Sequence, residues 1–265
     1  MSNTELFPET PEKSSALKPL ELYIFMDPLN SQCWELQAII RKLQIEYGHY
    51  FSMQIVLSTK LTNLNSIGKT SIIDVDNLSH PVLASVAVKA AELQGKRAGN
   101  RFLHKMQEYL LLKTKDVSCY SILLEIAGEA ELDQEEFKRD FHSVHTAKAF
   151  QCDLQITREM EVNEVPSIVF FNECIEDEGV KVSGLYPYNV YQTILQEMLG
   201  TKSLNKQNPP SMDELFSRYS TLATREIASI YNISEQTAER ELKKQMLQQK
   251  LERISLAEDT LWKLK

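Results

Sequence analysis

A β-rich run, LELYIFM (Leu20–Met26), ends in the turn DPLN and opens at once into a helical pattern. A second β-rich run, YFSMQIVLS (Tyr50–Ser58), follows it. Between the runs, Trp34, Leu36, Ile39, Ile40 and Leu43 recur at helical spacing, with Asn30 or Ser31 as the cap and Gly48 as the stop. Strand, helix and strand joined this closely predict two parallel strands with a right-handed crossover.

Residues 60–79 carry little pattern and read as a loop. From His80 to Met160 helix follows helix: HPVLASVAVKAAELQG to Gly95, then RAGNRFLHKMQEYLLLK, DVSCYSILLEIAGEA, a short DQEEFKRDFHS opened by Asp133 with Glu136 as a capping box, and a last helix from about Val144. The β pattern then returns in SIVFFNE (Ser167–Glu173), a turn CIEDEG, a partner strand in VKVSGLYPY and a helix, NVYQTILQEMLG, stopped by Gly200. The order β-α-β, helical block, β-β-α over 20–200 is that of an α/β chain with a thioredoxin core and a helical insertion at about 80–160.

Residues 1–19 are polar and proline-bearing and read as a disordered tail. Residues 201–211, TKSLNKQNPPS, read as a linker. Residues 212–265 offer three helices: MDELFSRYS, TREIASIYN capped by Thr224, and ISEQTAERELKKQMLQQK capped by Ser234. Two strand-like runs then flank an acidic turn, which completes a small winged-helix pattern.

With 43% hydrophobic and 25% charged residues, the chain has the composition of a soluble globular protein. Its net charge of −8 argues against nucleic-acid binding, which needs a basic footprint. The third C-terminal helix does carry Arg240, Lys243 and Lys244, but it interleaves them with Glu235, Glu239 and Glu241. No run approaches the ~18 apolar residues of a membrane helix, and the N-terminus has no signal-peptide core, so the expected compartment is the cytoplasm. The four cysteines, Cys33, Cys119, Cys152 and Cys174, lie far apart and read as free thiols.

The strand–turn–helix start is where a thioredoxin-like chain keeps Cys-x-x-Cys, and here only half the motif survives. Asn30 stands at the first position and Cys33 at the second. An attacking thiolate belongs at the first position, where the helix N-terminus lowers its pKa. An amide is no nucleophile, so ordinary disulfide exchange is not expected, and Cys33 remains as a packing residue or a redox-sensitive thiol. Val165-Pro166-Ser167 marks the second half of such a site, a proline just before the third strand. His142, His145 and Cys152 have loose metal-like spacing, but one helix cannot set all three around one ion. Cys119 and Cys152 read as small apolar fillers within helices. No metal or other cofactor is expected.

The stretches DPLNSQCW, AVKAAELQGKRAGNRFLHKMQE, MEVNEVPSIVFFNE, EGVKVSGLYPYNVY, ELKKQMLQQK and the terminal TLWKLK resemble the SpxH (YjbH) family of adaptors from low-GC Gram-positive bacteria. The resemblance runs from about Leu20 to the end. It implies a DsbA-like thioredoxin domain followed by a winged-helix domain. It also implies a non-catalytic function: binding the transcriptional regulator Spx and promoting its degradation by the ClpXP protease. Some members keep Cys-x-x-Cys, and some carry a His- and Cys-rich N-terminal segment associated with metal. This chain has neither, so no zinc is carried over.

For a binding role, the surface around the old active site is the natural place to hold a polypeptide. Asp27, Pro28, Gln32, Trp34, Val165 and Pro166 are expected to border it, and the aromatic corner Gly184–Tyr188, with Tyr186 and Tyr188, is a second candidate. Trp34 and Tyr186 also fit plain core plugs. The rival expectations are a cytosolic DsbA-like thiol-disulfide oxidoreductase using Cys33, and a DNA-binding regulator acting through the winged helix.

Overall fold

The computed structural model describes residues 19–59, 80–111, 115–172, 179–219, 221–255 and 260–265. The founding unit forms as its pattern predicts. β1 (Leu20–Met26) leads into α1 (Ser31–Tyr47) and β2 (Phe51–Leu57), and β2 pairs with β1 in parallel, Leu20 opposite Phe51 and Met26 opposite Leu57. The helical block follows as α2 (Val82–Leu93), α3 (Lys96–Leu111), α4 (Tyr120–Glu129), α5 (Gln134–Phe141) and α6 (Val144–Glu159). β3 (Ser167–Asn172), β4 (Val180–Ser183) and α7 (Tyr188–Met198) close this part. The sheet order is β2-β1-β3-β4, with β3 antiparallel to both of its neighbours.

Alternation along β1 divides its side chains between two cores. Leu20, Leu22, Ile24 and Met26 join the large core, built with Leu36, Ile40 and Leu43 of α1, the aromatic residues Phe102, Tyr109, Phe137 and Phe141 of the helical block, and Tyr191 of α7. Phe25 faces the other way and packs with Val56, Val162 and Val169. The caps follow local chemistry. Asp133 accepts from the Glu136 N–H and Ser143 from that of Thr146, each satisfying a donor that a helix start leaves free. Only half of the expected capping box forms, because the Asp133 N–H donates to Gln94 Oε1 instead of to Glu136.

The C-terminal stretch forms α8 (Met212–Arg218), β5 (Thr221–Ala223), α9 (Thr224–Tyr231), α10 (Glu235–Leu247), β6 (Leu251–Ser255) and β7 (Thr260–Leu264). The two predicted terminal strands are joined by a third, β5, which the sequence reading missed, and the sheet order is β5-β7-β6. Ser234 caps α10 as expected, accepting from the Thr237 N–H. Thr224 does not cap α9. Because β5 runs straight into that helix, Ala223 is the capping position, and the Ala223 N–H donates to Glu226 Oε2 instead. The Thr224 hydroxyl is used across the sheet, accepting from Trp262 Nε1 at 2.9 Å and donating to the Thr260 carbonyl. Trp262 is fully buried at the centre of this third core.

Residues 201–211 contain no helix or strand, but they do not hang free. Leu204 packs on the large core, and the Asn205 N–H donates to Tyr50 Oη. The Gln207 N–H donates to the Glu46 carbonyl, Lys206 Nζ lies 2.7 Å from the Glu46 carboxylate, and Tyr231 Oη donates to the Pro210 carbonyl. The segment is a strap laid across the end of α1.

Helix α1 itself serves both parts. Its apolar flank lies in the large core, while Ile45 belongs to the C-terminal core. Beside Ile45, buried Arg41 donates to Glu226 Oε1 at 2.7 Å and lies over the Tyr219 ring. Lys42 donates to the Ser229 carbonyl and to Asn232 Oδ1. Thr221 on β5 donates to buried Glu108 of α3. Breaking a buried pair leaves a charge without compensation. Arg41→Ala is therefore expected to lower the unfolding free energy by about 3–5 kcal/mol in urea titrations. Arg41→Met combined with Glu226→Gln should recover most of that loss, since both buried charges go and an acceptor for the Ala223 N–H stays. Equal destabilisation by the single and the double change would show that the pair does not hold the parts together.

Residues 1–18 of the expected tail, the expected loop at 60–79, residues 173–178 with the expected CIEDEG turn up to Glu178 and so Cys174, and the expected acidic turn at 256–259 lie outside the described residues.

Candidate functional site

The turn after β1 is set by its own side chains. The Leu29 N–H donates to Asp27 Oδ1 at 2.9 Å, and the Asn30 N–H to the Asp27 carbonyl at 3.0 Å, an Asx-type turn that aims the chain into α1. Asn30 takes extended backbone angles and caps the helix, its Oδ1 accepting from the Gln32 N–H at 2.9 Å. Its other end reaches 135 residues along the chain: Asn30 Nδ2 donates to the Val165 carbonyl at 3.0 Å. The Val165–Pro166 peptide is cis. The Pro166 carbonyl accepts from the Gly184 N–H at 2.8 Å, and the Tyr186 N–H donates to Tyr191 Oη at 3.1 Å. Gly184 sits at φ +92°, a backbone angle that suits glycine. Three segments, 27–34, 164–167 and 184–186, are thus joined edge to edge.

The candidate residues divide by depth. Gln32 is exposed, Tyr186 is 46% exposed, and Trp34 and Val165 are half-buried, so these four present surface. Asp27, Pro28 and Pro166 are buried and shape the face from beneath. Tyr188 turns away from it. Its hydroxyl donates to Glu46 at 2.5 Å and its ring lies 4.7 Å from Lys42 Nζ, which places it in the junction with the C-terminal part. Burial and the neighbouring Glu46 push the Tyr188 phenol far up, so it stays protonated and donates. Burial also lowers the Lys42 ammonium.

Cys33 lies beneath this face with no exposed surface. Burial is the main cause that pushes its thiol up to about 12, opposed by a hydrogen bond from the Asp27 backbone and reinforced by the Asp27 charge. A thiol so placed is neither ionised nor reachable near neutral pH, which removes it as an attacking group. The other thiols are not the helix-interior fillers the sequence suggests. Cys152 is exposed on the outer side of α6, and Cys119 is half-buried at the capping position of α4. Leu123 and Ile126 of α4 and Phe150 of α6 join the large core.

Among the described residues no group of three His, Cys, Asp or Glu side chains converges as a metal site, and His142 stacks on Tyr120 and Phe141. Along α10, Lys243 pairs with Glu239, and Arg240 and Lys244 with Glu241, so each cation faces its own helix's carboxylates. No helix among the described residues is long and apolar enough to cross a membrane.

Sequence reasoning located the three segments but missed the bond between Asn30 and Val165 and the charged flank of α1. The second left a trace, since Arg41, Lys42, Ile45 and Glu46 share one side of a helix whose other side is apolar.

Comparison with known proteins fits this geometry. The Thioredoxin_5 family model, described as thioredoxin, matches residues 23–193. The chain is 42% identical to the ClpXP adapter protein SpxH of Shouchella clausii, covering 97% of this chain and 92% of that one. It is 40% identical to the ClpXP adapter protein SpxH of Bacillus subtilis, covering 93% and 89%. Among solved structures it resembles the oxidoreductase DsbA of Xylella fastidiosa, at TM-score 0.51 and 12% identity over 70% of this chain and 89% of that one. It also resembles alpha-DsbA1 of Wolbachia pipientis, at TM-score 0.52 and 12% identity over 69% and 86%. At that identity the structures speak for the fold alone.

Native-state alkylation with iodoacetamide at pH 8, read by peptide mass spectrometry, is expected to label Cys152 readily. Cys33 should be labelled roughly a thousandfold more slowly than an ordinary thiol, because so little of it is ionised. Denaturant should erase the difference. Comparable native labelling of the two cysteines would show Cys33 to be open.

Proposed function

The chain belongs to the SpxH family of ClpXP adapter proteins, and we propose that it binds the transcriptional regulator Spx and promotes its degradation by ClpXP without chemistry of its own. The observation that carries this reading is sequence identity near 40% to adapter proteins over more than nine-tenths of the chain. The site supports it: the attacking-thiol position holds Asn30, already engaged at both ends of its carboxamide, and the remaining Cys33 is buried with its thiol pushed up to about 12.

In this reading residues 20–200 form a DsbA-like domain, 201–211 a linking strap, and 212–265 a winged-helix module. Three helices with a three-stranded sheet ordered β5-β7-β6 support the last of these assignments. The module docks protein rather than nucleic acid, because its third helix pairs its cations internally. The adaptor works in the cytoplasm. Gln32, Trp34, Val165 and Tyr186 form the partner-contacting face, with Asp27, Pro28 and Pro166 as its support.

An adaptor acts by raising the concentration of substrate at the protease. Millimolar effective concentration makes a weak direct encounter productive with no covalent step. In a reconstituted reaction with ClpXP and Spx, adding this chain is expected to speed Spx loss at least tenfold. Trp34→Ala and Tyr186→Ala should each weaken Spx binding by about tenfold, as aromatic anchors at interfaces do. No acceleration would overturn this reading, and repeated turnover in a disulfide reductase assay that Cys33→Ala abolishes would replace it with that of an oxidoreductase.

A further inference from the structure

We propose that Asn30 is a positioning residue for partner recognition: its carboxamide fixes the spacing between Gln32 and Trp34 on α1 and Val165 and Tyr186 on the facing segments. The inference rests on the reading above that this face holds the partner.

The geometry comes from two bonds of opposite polarity on one short side chain. Oδ1 accepts from the Gln32 N–H at 2.9 Å, and Nδ2 donates to the Val165 carbonyl at 3.0 Å. Aspartate and serine also cap helices. Only a carboxamide supplies an acceptor to the helix and, from the same planar group, a donor pointing the other way. Glutamine has the group but is one methylene too long to hold both ends.

The Val165 carbonyl is followed by Pro166, whose own carbonyl accepts from the Gly184 N–H. Gly184 turns the chain into Tyr186, whose N–H is held by Tyr191 Oη. Asn30 is thus the side-chain link in a run of hydrogen bonds from the helix to both facing segments. The run begins at the Gln32 N–H, two residues before half-buried Trp34, and ends at exposed Tyr186. The residue that occupies the lost nucleophile's place has become the tie across the site.

The test separates capping from bridging. Asn30→Asp keeps an equally good cap, favoured by the helix dipole, but loses the donor and turns a carboxylate toward the Val165 carbonyl. Asn30→Ser keeps a neutral cap and cannot reach across. Both variants are expected to retain native circular dichroism and to weaken Spx binding by about 5- to 20-fold in calorimetry, the scale of one lost hydrogen bond to a partly buried acceptor and the misalignment that follows. Combined with Tyr186→Ala, Asn30→Asp should add less than it does alone, because one of the groups it positions is already gone.

Unchanged binding in both Asn30 variants, with Trp34→Ala and Tyr186→Ala still weakening it, would overturn the positioning role and leave the site standing. Unchanged binding in all four would overturn the site itself and the inference with it. Loss of native circular dichroism in both Asn30 variants would make Asn30 a folding residue and overturn its positioning role.

Discussion

Helix α1 is buried along two flanks, and the rest of the molecule is arranged around that constraint. One flank is apolar and completes the large core. The other carries Arg41, Lys42 and Glu46, which are tolerable out of water only because each meets a partner of opposite charge or a hydrogen-bonding group. Those partners come from α9, from the strap at 201–211 and from α7, so the charged flank of α1 is fully covered only with the C-terminal part docked. The dependence runs both ways. A unit of about 54 residues has little apolar surface to bury on its own, and Ile45 of α1 extends its core. The 17 residues of α1 thus set a separation of about 25 Å between the face at Asn30 and the far end of the junction.

The start of the same helix sets what the candidate face can present. Disulfide chemistry at this position needs an exposed sulfur with a lowered pKa at the helix start. Here the helix start is occupied by a capping carboxamide, and the remaining sulfur is covered, where burial disfavours its charged form. What survives is the shape: a helix N-terminus, a proline-bearing strand start and an aromatic corner, held at close range. The solved structures the chain resembles at 12% identity share the fold, while the relatives near 40% identity are named adapter proteins. A shared fold does not by itself fix a function.

Much of the architecture was legible because it rests on local patterns. The alternation in Leu20–Met26, the helical spacing from Trp34 to Leu43, and the Asp133 and Ser234 caps each depend on neighbours within a few residues, and each appears where the pattern puts it. Legibility failed where a residue's use is decided at a distance. Thr224 has the chemistry of a helix cap, but Trp262, 38 residues on, takes its hydroxyl. Strand β5 is only three residues long and exists because β7 pairs with it. The polar strap reads as a free linker until Tyr50, Glu46 and Tyr231 are seen to hold it.

The candidate face divides in the same way. That Cys-x-x-Cys is broken at Asn30, and that a Val-Pro-Ser lies where its counterpart segment belongs, follow from residue identity and order alone. Which of the neighbouring residues present surface does not, because exposure depends on what packs behind each one. Pro28 and Pro166 go under, Gln32 and Tyr186 stay out, and Tyr188 is drawn to Glu46 in the junction. The sequence by itself determined the fold family and the carboxamide at position 30, since periodicity and residue identity are properties of the chain. Tertiary structure alone decided that Asn30 binds Val165 and that Arg41 binds Glu226. Each of those bonds joins groups more than a hundred residues apart, and nothing local to either partner specifies the other.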